Sequence, residues 1–179
     1  MKQSPKVVLA NSLEELLKKR SFDNITVGEI ADNCGLSRTT FYRQFKDKYD
    51  CMNWIYQNRI AMIEEENCSI ASWKNLIEQI AHFLYEKKDY FAKVNNYTEQ
   101  NSLMDCIYQC GMSYATRMVK NENPDGKISQ KDYYFLHMYL TATVECINIW
   151  LREGCTGGPE FLAEMQSSFM PDVLRKYFI

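Results

Sequence analysis

The sequence predicts an all-α protein, and three observations predict it. From residue 4 onward apolar residues recur at intervals of three and four, the period of a helix with one buried face. No stretch alternates cleanly between apolar and polar side chains, as a half-buried strand would. Only seven glycines and four prolines punctuate the 179 residues, so breaks between elements are few. Hydrophobic residues make up 46% and charged residues 25%, the balance of an ordinary globular chain. That length suits one domain or a small domain joined to a larger one.

The first helix opens at Ser4, with Pro5 in the first turn where proline loses no hydrogen bond, and Val8 or Leu9, Leu13, Leu16 and Leu17 follow at helical spacing. Lys18, Lys19 and Arg20 close it with the sign of charge that suits a helix C-terminus. After the connection SFDNI, Thr26-Val27-Gly28-Glu29 forms a capping box, in which hydroxyl and carboxylate each satisfy an unpaired backbone amide. The helix it starts buries Val27, Ile30 and Ala31 and stops at Cys34-Gly35, because glycine readily takes the left-handed conformation that ends a helix. Ser37 caps the next helix, and Phe41 and Phe45, four apart, share one side of it. Two short helices joined by a glycine turn make a helix-turn-helix. Asp47 then caps a long helix from Lys48 to about Glu66, with Tyr49, Met52, Ile55 or Tyr56, Ile60 and Ile63 as its buried stripe. Further helices are expected at 72–87, 89–96, 99–120, 130–153 and 159–177, with NENPDGK and GCTGGP as loops.

With Phe41 and Phe45 turned inward, the third helix presents Arg38, Thr39, Thr40, Tyr42, Arg43 and Gln44 outward. Arginine can bond guanine in a fork and glutamine can do the same for adenine. Threonine methyls touch thymine, and hydroxyls hold phosphate oxygens. Thr26 and Lys48 would flank this helix as phosphate anchors, through free amides and charge. The bland account is a solvated face on a helical pair that merely packs. The charge distribution favours the nucleic-acid account. Residues 1–50 hold nine Lys or Arg against seven acids, and residues 51–179 hold twelve against sixteen, so a basic first quarter sits on an acidic remainder.

Residues 22–50, FDNITVGEIADNCGLSRTTFYRQFKDKYD, resemble the DNA-binding domain of the TetR family of bacterial transcriptional regulators. The family pattern has Thr, then Ile-Ala, a glycine turn, Ser, and a Phe-Tyr-x-x-Phe ending followed by Lys, and about a dozen positions agree in register. One departure is Ser21, where many members have glycine. The resemblance implies phosphate and base contacts at Thr26, Ser37, Arg38, Thr39, Tyr42, Arg43, Gln44 and Lys48. TEQNSLMDCIYQ and the KDKYD ending are weakly similar to the subgroup that regulates dihydroxyacetone kinase genes. The expected organisation is a helix-turn-helix domain over residues 1–50, a connecting helix to about 67, and a helical regulatory and dimerisation domain over 68–179.

The second region is rich in aromatic residues and methionine. Most belong to the core, yet tyrosines need hydrogen-bond partners when buried, which suits a cavity with scattered polar handles. The family resemblance implies a small-molecule pocket there, with Tyr97, Tyr108, Met112, His137 and Thr141 as candidates for its lining. It also implies a four-helix dimer interface made by the last two predicted helices. Their apolar surface exceeds what one core face requires, and Tyr139, Ile149, Trp150, Phe161, Met165 and Phe169 are the candidates. A dimer would place two recognition helices one DNA turn apart, ~34 Å, on a near-palindromic operator.

The function expected is a DNA-binding transcriptional regulator, a repressor by default, whose operator affinity is set by a small molecule in the second domain. The alternative is an interaction protein or co-regulator acting through protein contacts, with weak or no ligand binding. An enzyme is the poorest fit. There is no nucleophile elbow, phosphate-binding glycine loop or HExxH, and the two histidines, His82 and His137, lie far apart. No catalytic residue, cofactor or metal site is therefore expected. Seven cysteines without paired spacing fit buried reduced thiols, although Cys106 and Cys110 share a helix face where a redox or soft-metal sensor is conceivable. No apolar run reaches the ~18 to 20 residues of a membrane span, and the polar, charged start does not suit a secretory peptide, so a cytoplasmic protein is expected.

Overall fold

The computed structural model describes residues 3–66, 73–95 and 102–178. Among them no strand occurs, and the chain runs through α1 (Pro5–Lys19), a 3-10 turn (Phe22–Asn24), α2 (Val27–Asn33), α3 (Arg38–Gln44) and α4 (Lys48–Glu66). It continues through α5 (Trp73–Glu86), α6 (Lys88–Val94), α7 (Leu103–Glu122), α8 (Gln130–Arg152), α9 (Gly158–Ser168) and α10 (Asp172–Phe178).

The starts of these helices are written locally. The Ser4 hydroxyl accepts from Val7 N, the Ser37 hydroxyl from Thr40 N at 3.1 Å, and the Asp47 carboxylate from Asp50 N at 2.8 Å. Ser102 and Ser129 cap α7 and α8 in the same way, although the sequence pattern began the first of these four residues earlier. Leu9, Leu13, Leu17, Phe22, Ile25, Ile30, Phe41 and Phe45 are all buried and pack α1, α2 and α3 into one head. α4 leads from the head into the larger half, where α5 packs along α9 and α7 along α8. Lys87 of the α5–α6 junction ion-pairs with Glu14 of α1, and Lys93 Nζ of α6 donates to the carbonyls of Leu17 and Lys18 at the end of α1. Two lysines of the larger half therefore hold the head's first helix.

The single helix expected over 159–177 is two helices. Residues 169–171 interrupt it, because Pro171 has no amide to donate and its ring excludes the carbonyl of a preceding turn. α10 folds back onto α8, where Tyr177 OH donates to the buried Asp132 carboxylate at 3.0 Å.

Candidate nucleic-acid interface

Helix α3 is positioned from beneath and from both ends. Phe41 and Phe45 anchor it in the head, with ring centroids 5.6 Å apart. Gly35 takes φ 69°, the left-handed turn that lets α3 leave α2 sharply. At the start of α2 the capping box is complete. Thr26 N donates to Glu29 Oε2 at 2.8 Å, and Glu29 N donates to Thr26 Oγ1 at 3.2 Å. Glu29 also pairs with Arg20, and Arg20 with the Thr26 amide and hydroxyl holds the Glu29 carboxyl down to about 2.

Ser37, Arg38, Thr39, Tyr42 and Arg43 stand exposed on α3 and its cap, and Thr26 is exposed beside them. Tyr42 has 60% of its surface open to solvent, which no core role explains. Among the described residues neither Arg38 nor Arg43 makes an ion pair. Arg38 lies across Gly28, where a Cβ would meet its guanidinium at 2.5 Å, so the glycine lets the cation rest over the start of α2. Thr40 and Gln44 are half-buried, and the Thr40 hydroxyl is already paired with that of Ser37 at 2.9 Å.

Lys48 departs from the expectation of a free phosphate anchor. Its ammonium donates to the carbonyls of Phe22, Asp23 and Ile25 at 2.9, 3.1 and 3.0 Å and sits over the Phe22 ring. All three of its donors serve the turn between α1 and α2, and burial lowers its pKa.

The candidate pocket residues do not converge. Tyr97 lies outside the described residues. Tyr108 is hydrogen-bonded to His137, and both His137 and Thr141 are exposed on α8. The reason is helical phase: Leu136 and Leu140 face the core, and the residue after each is turned about 100° away from them. Met112 is buried but borders a shallow surface groove with Gln109 and Thr116. An apolar cavity lies elsewhere, among Ile60, Leu76, Ile107, Cys110 and Val144, and measures about 40 Å³.

The same phase corrects two interface candidates. Tyr139 and Trp150 are buried in the chain's own core, Tyr139 OH donating to Gln166 O at 2.9 Å and Trp150 Nε1 to Thr156 O at 3.0 Å. Ile149, Phe161 and Phe169 are exposed and Met165 is half-buried. Tyr134 and Met138, which sequence reasoning passed over, are exposed as well. They fall on the face of α8 that also carries Ile149, a phase readable from their spacing of four and eleven residues.

Comparison with known proteins places both halves. Residues 11–53 match the family model described as bacterial regulatory proteins, tetR family, and residues 71–172 match one described as transcriptional regulator C-terminal region. The HTH-type dhaKLM operon transcriptional activator DhaS of Lactococcus lactis subsp. lactis (strain IL1403) is 23% identical over 87 residues, 49% of this chain and 46% of that protein. The uncharacterized HTH-type transcriptional regulator YxbF of Bacillus subtilis (strain 168) is 21% identical over 173 residues, 92% of this chain and 44% of its own length. The matched stretches thus span less than half of either curated relative. A solved structure described as dihydroxyacetone kinase operon activator DhaS superposes with a TM-score of 0.70 over 98% of each chain at 14% identity, a likeness of fold.

Proposed function

The chain belongs to the TetR family of bacterial transcriptional regulators, and on that premise we propose that it binds a near-palindromic operator as a homodimer under the control of a small molecule. The observation that carries the reading is the outer face of α3, where Arg38, Thr39, Tyr42 and Arg43 stand in solvent over a helix anchored by Phe41 and Phe45. Helix-turn-helix proteins insert such a face into the major groove, with arginine and hydroxyl groups divided between base edges and phosphates. Residues 1–50 would form the reading head, and residues from 68 onward the regulatory and dimerising domain. In this reading the protein works in the cytoplasm as a binding protein and not as a catalyst. None of the described helices is long and apolar enough to cross a membrane.

Effector control requires a molecule that favours one spacing of the two heads over another, since equal affinity for both shifts nothing. The tie of Lys87 and Lys93 to α1 is a route by which the larger half can bias the head. Repression is the direction we propose. The Lactococcus relative is named an activator, and a promoter fusion carrying the operator reads the sign for this chain. A second reading, a co-regulator acting through protein contacts, draws on the exposed Tyr134, Met138 and Phe169 and on an inner cavity of about 40 Å³, far below the ~300 Å³ of ordinary ligand sites.

Selection of bound genomic fragments followed by gel-shift titration separates the two. The regulator reading expects affinity to fall steeply with salt, as released counterions require. Arg43→Ala combined with Tyr42→Phe should leave the circular dichroism spectrum unchanged and weaken the selected fragment by more than ~10-fold. Unchanged affinity in that variant removes α3 as the reading helix, and absence of duplex binding leaves the co-regulator.

A further inference from the structure

Two cavities meet at one side chain. The inner, apolar cavity of about 40 Å³ and an outer, solvent-facing one of about 400 Å³ both have Trp73, the first residue of α5, in their walls. The indole stands between them. It is held by a hydrogen bond from Nε1 to Tyr139 OH at 3.1 Å and by the Phe178 ring, 4.9 Å away between centroids. Among the described residues Trp73 is thus the one side chain shared by the outer space and the cavity lined by Ile60, Leu76, Ile107 and Val144.

The outer cavity has polar equipment that its neighbours do not use up. Lys74 and Arg175 set two cations against one acid, Glu164, in its lining. The nearest partner of Arg175 Nε is Asp172 at 3.0 Å, whose side chain is 98% exposed and so competes poorly against water. Lys74 lies 3.8 Å from Glu78, again with both side chains well exposed. The Ser167 hydroxyl is buried in the wall with no hydrogen-bond partner among the described residues, although a buried hydroxyl ordinarily has one. A planar guanidinium, an ammonium and a waiting hydroxyl around an apolar throat suit an oxyanion followed by hydrocarbon.

We propose that the cleft between the start of α5, the end of α9 and α10 is the mouth of an effector site for a small amphiphile with a carboxylate head and an apolar tail, and that Trp73 is its inner door. The head lies between Arg175, Lys74 and Ser167, and the tail displaces the indole and enters the inner cavity. The proposal rests on the regulator reading and supplies the chemical class of its effector.

The test uses the full chain without DNA, with octanoate as probe and 1-octanol and acetate as comparisons. Calorimetry should give saturable octanoate binding at least about tenfold tighter than octanol, the worth of a charged hydrogen bond, with acetate failing for want of a tail. Octanoate should shift the tryptophan emission, and Trp73→Phe, which leaves Trp54 and Trp150, should abolish that shift. Arg175→Gln should weaken octanoate about tenfold and leave octanol unchanged. If that variant loses helicity because Arg175 also donates to Ser168 O, Lys74→Gln carries the same comparison. Equal binding of octanoate and octanol, no binding of either, or an emission shift that survives in Trp73→Phe overturns the proposal. Duplex binding of the same preparation keeps the failures apart. A protein that holds its operator and ignores octanoate loses this site and remains a regulator, whereas one that binds no duplex loses the regulator reading whatever octanoate does.

Discussion

A carboxylate tied to an arginine and to two groups of a helix cap is stabilised by folding only while it is charged, and Glu29 is such a group. Its pKa is held to about 2, below an ordinary 4.5, by Arg20 first and then by the Thr26 amide and hydroxyl. Because the folded value is the lower one, the contribution is complete above about 4.5 and is withdrawn as the pH falls toward 2. The side chain is solvent-exposed, so the effect is small in size and clear in sign. Melting temperatures of the wild type and Glu29→Gln should differ most near neutral pH and converge as the pH falls from about 4.5 toward 2. A gap that stays constant over that range would show that the charge of Glu29 contributes nothing. The Thr-x-x-Glu spacing made this box legible in the sequence, since all its partners lie within three residues. The claim of Arg20 on the same carboxylate, and the capture of Lys48 by three carbonyls more than twenty residues away, left no local pattern. A lysine after Phe45 reads as a free cation until the turn it staples is in place.

At the scale of the element, helix starts were legible and helix placement was not. Ser4, Ser37 and Asp47 each announce a helix because the cap lies within three or four residues of the amide it satisfies. The stretch 159–177 misled because Phe161, Met165, Phe169 and Leu174 keep helical spacing across the break, while Pro171 ends the hydrogen-bond ladder regardless. Phe161 and Phe169 are exposed while Leu174 is buried, so the helical spacing across the break does not follow a single face. The tie between α6 and α1 had no signal at all, since Lys93 meets the carbonyls of Leu17 and Lys18 across some 75 residues. That ammonium sits at the negative end of the α1 dipole and bonds two of its unpaired carbonyls. Lys93→Met keeps the stem and removes the charge, and it should cost about 1 kcal/mol in urea unfolding for a half-buried contact of this kind. Amide exchange in the last turn of α1 should also quicken. Unaltered stability together with unaltered exchange would mean that α6 does not hold the head.

For the molecule as a whole, periodicity identified which residues are apolar and helical, but it could not say which of two apolar faces on one helix turns inward. On α8 the inward face is Leu136, Tyr139, Leu140, Ile147 and Trp150, closed by α7 and α10, so Tyr139 and Trp150 complete the chain's own core. The face left in solvent is Tyr134, Met138 and Ile149, and Phe161 of α9 and Phe169 just after it are exposed too, with 68% of Phe169 open to solvent. So much apolar surface on neighbouring helices is costly for a chain that stays alone, and a second copy would cover it. Dimerisation also follows from the proposed task, since one seven-residue reading helix contacts too few bases for a unique site. Light scattering should therefore give twice the 21.1 kDa of one chain at micromolar concentration. Met138→Glu combined with Phe169→Glu should halve that mass while leaving the circular dichroism spectrum intact, because both side chains already lie in solvent. The same variant should lose operator affinity with its reading helix unaltered, since two heads no longer bind as one unit. A wild-type monomer would take away the interface, and a charged variant that stays dimeric would move it to another surface of the chain.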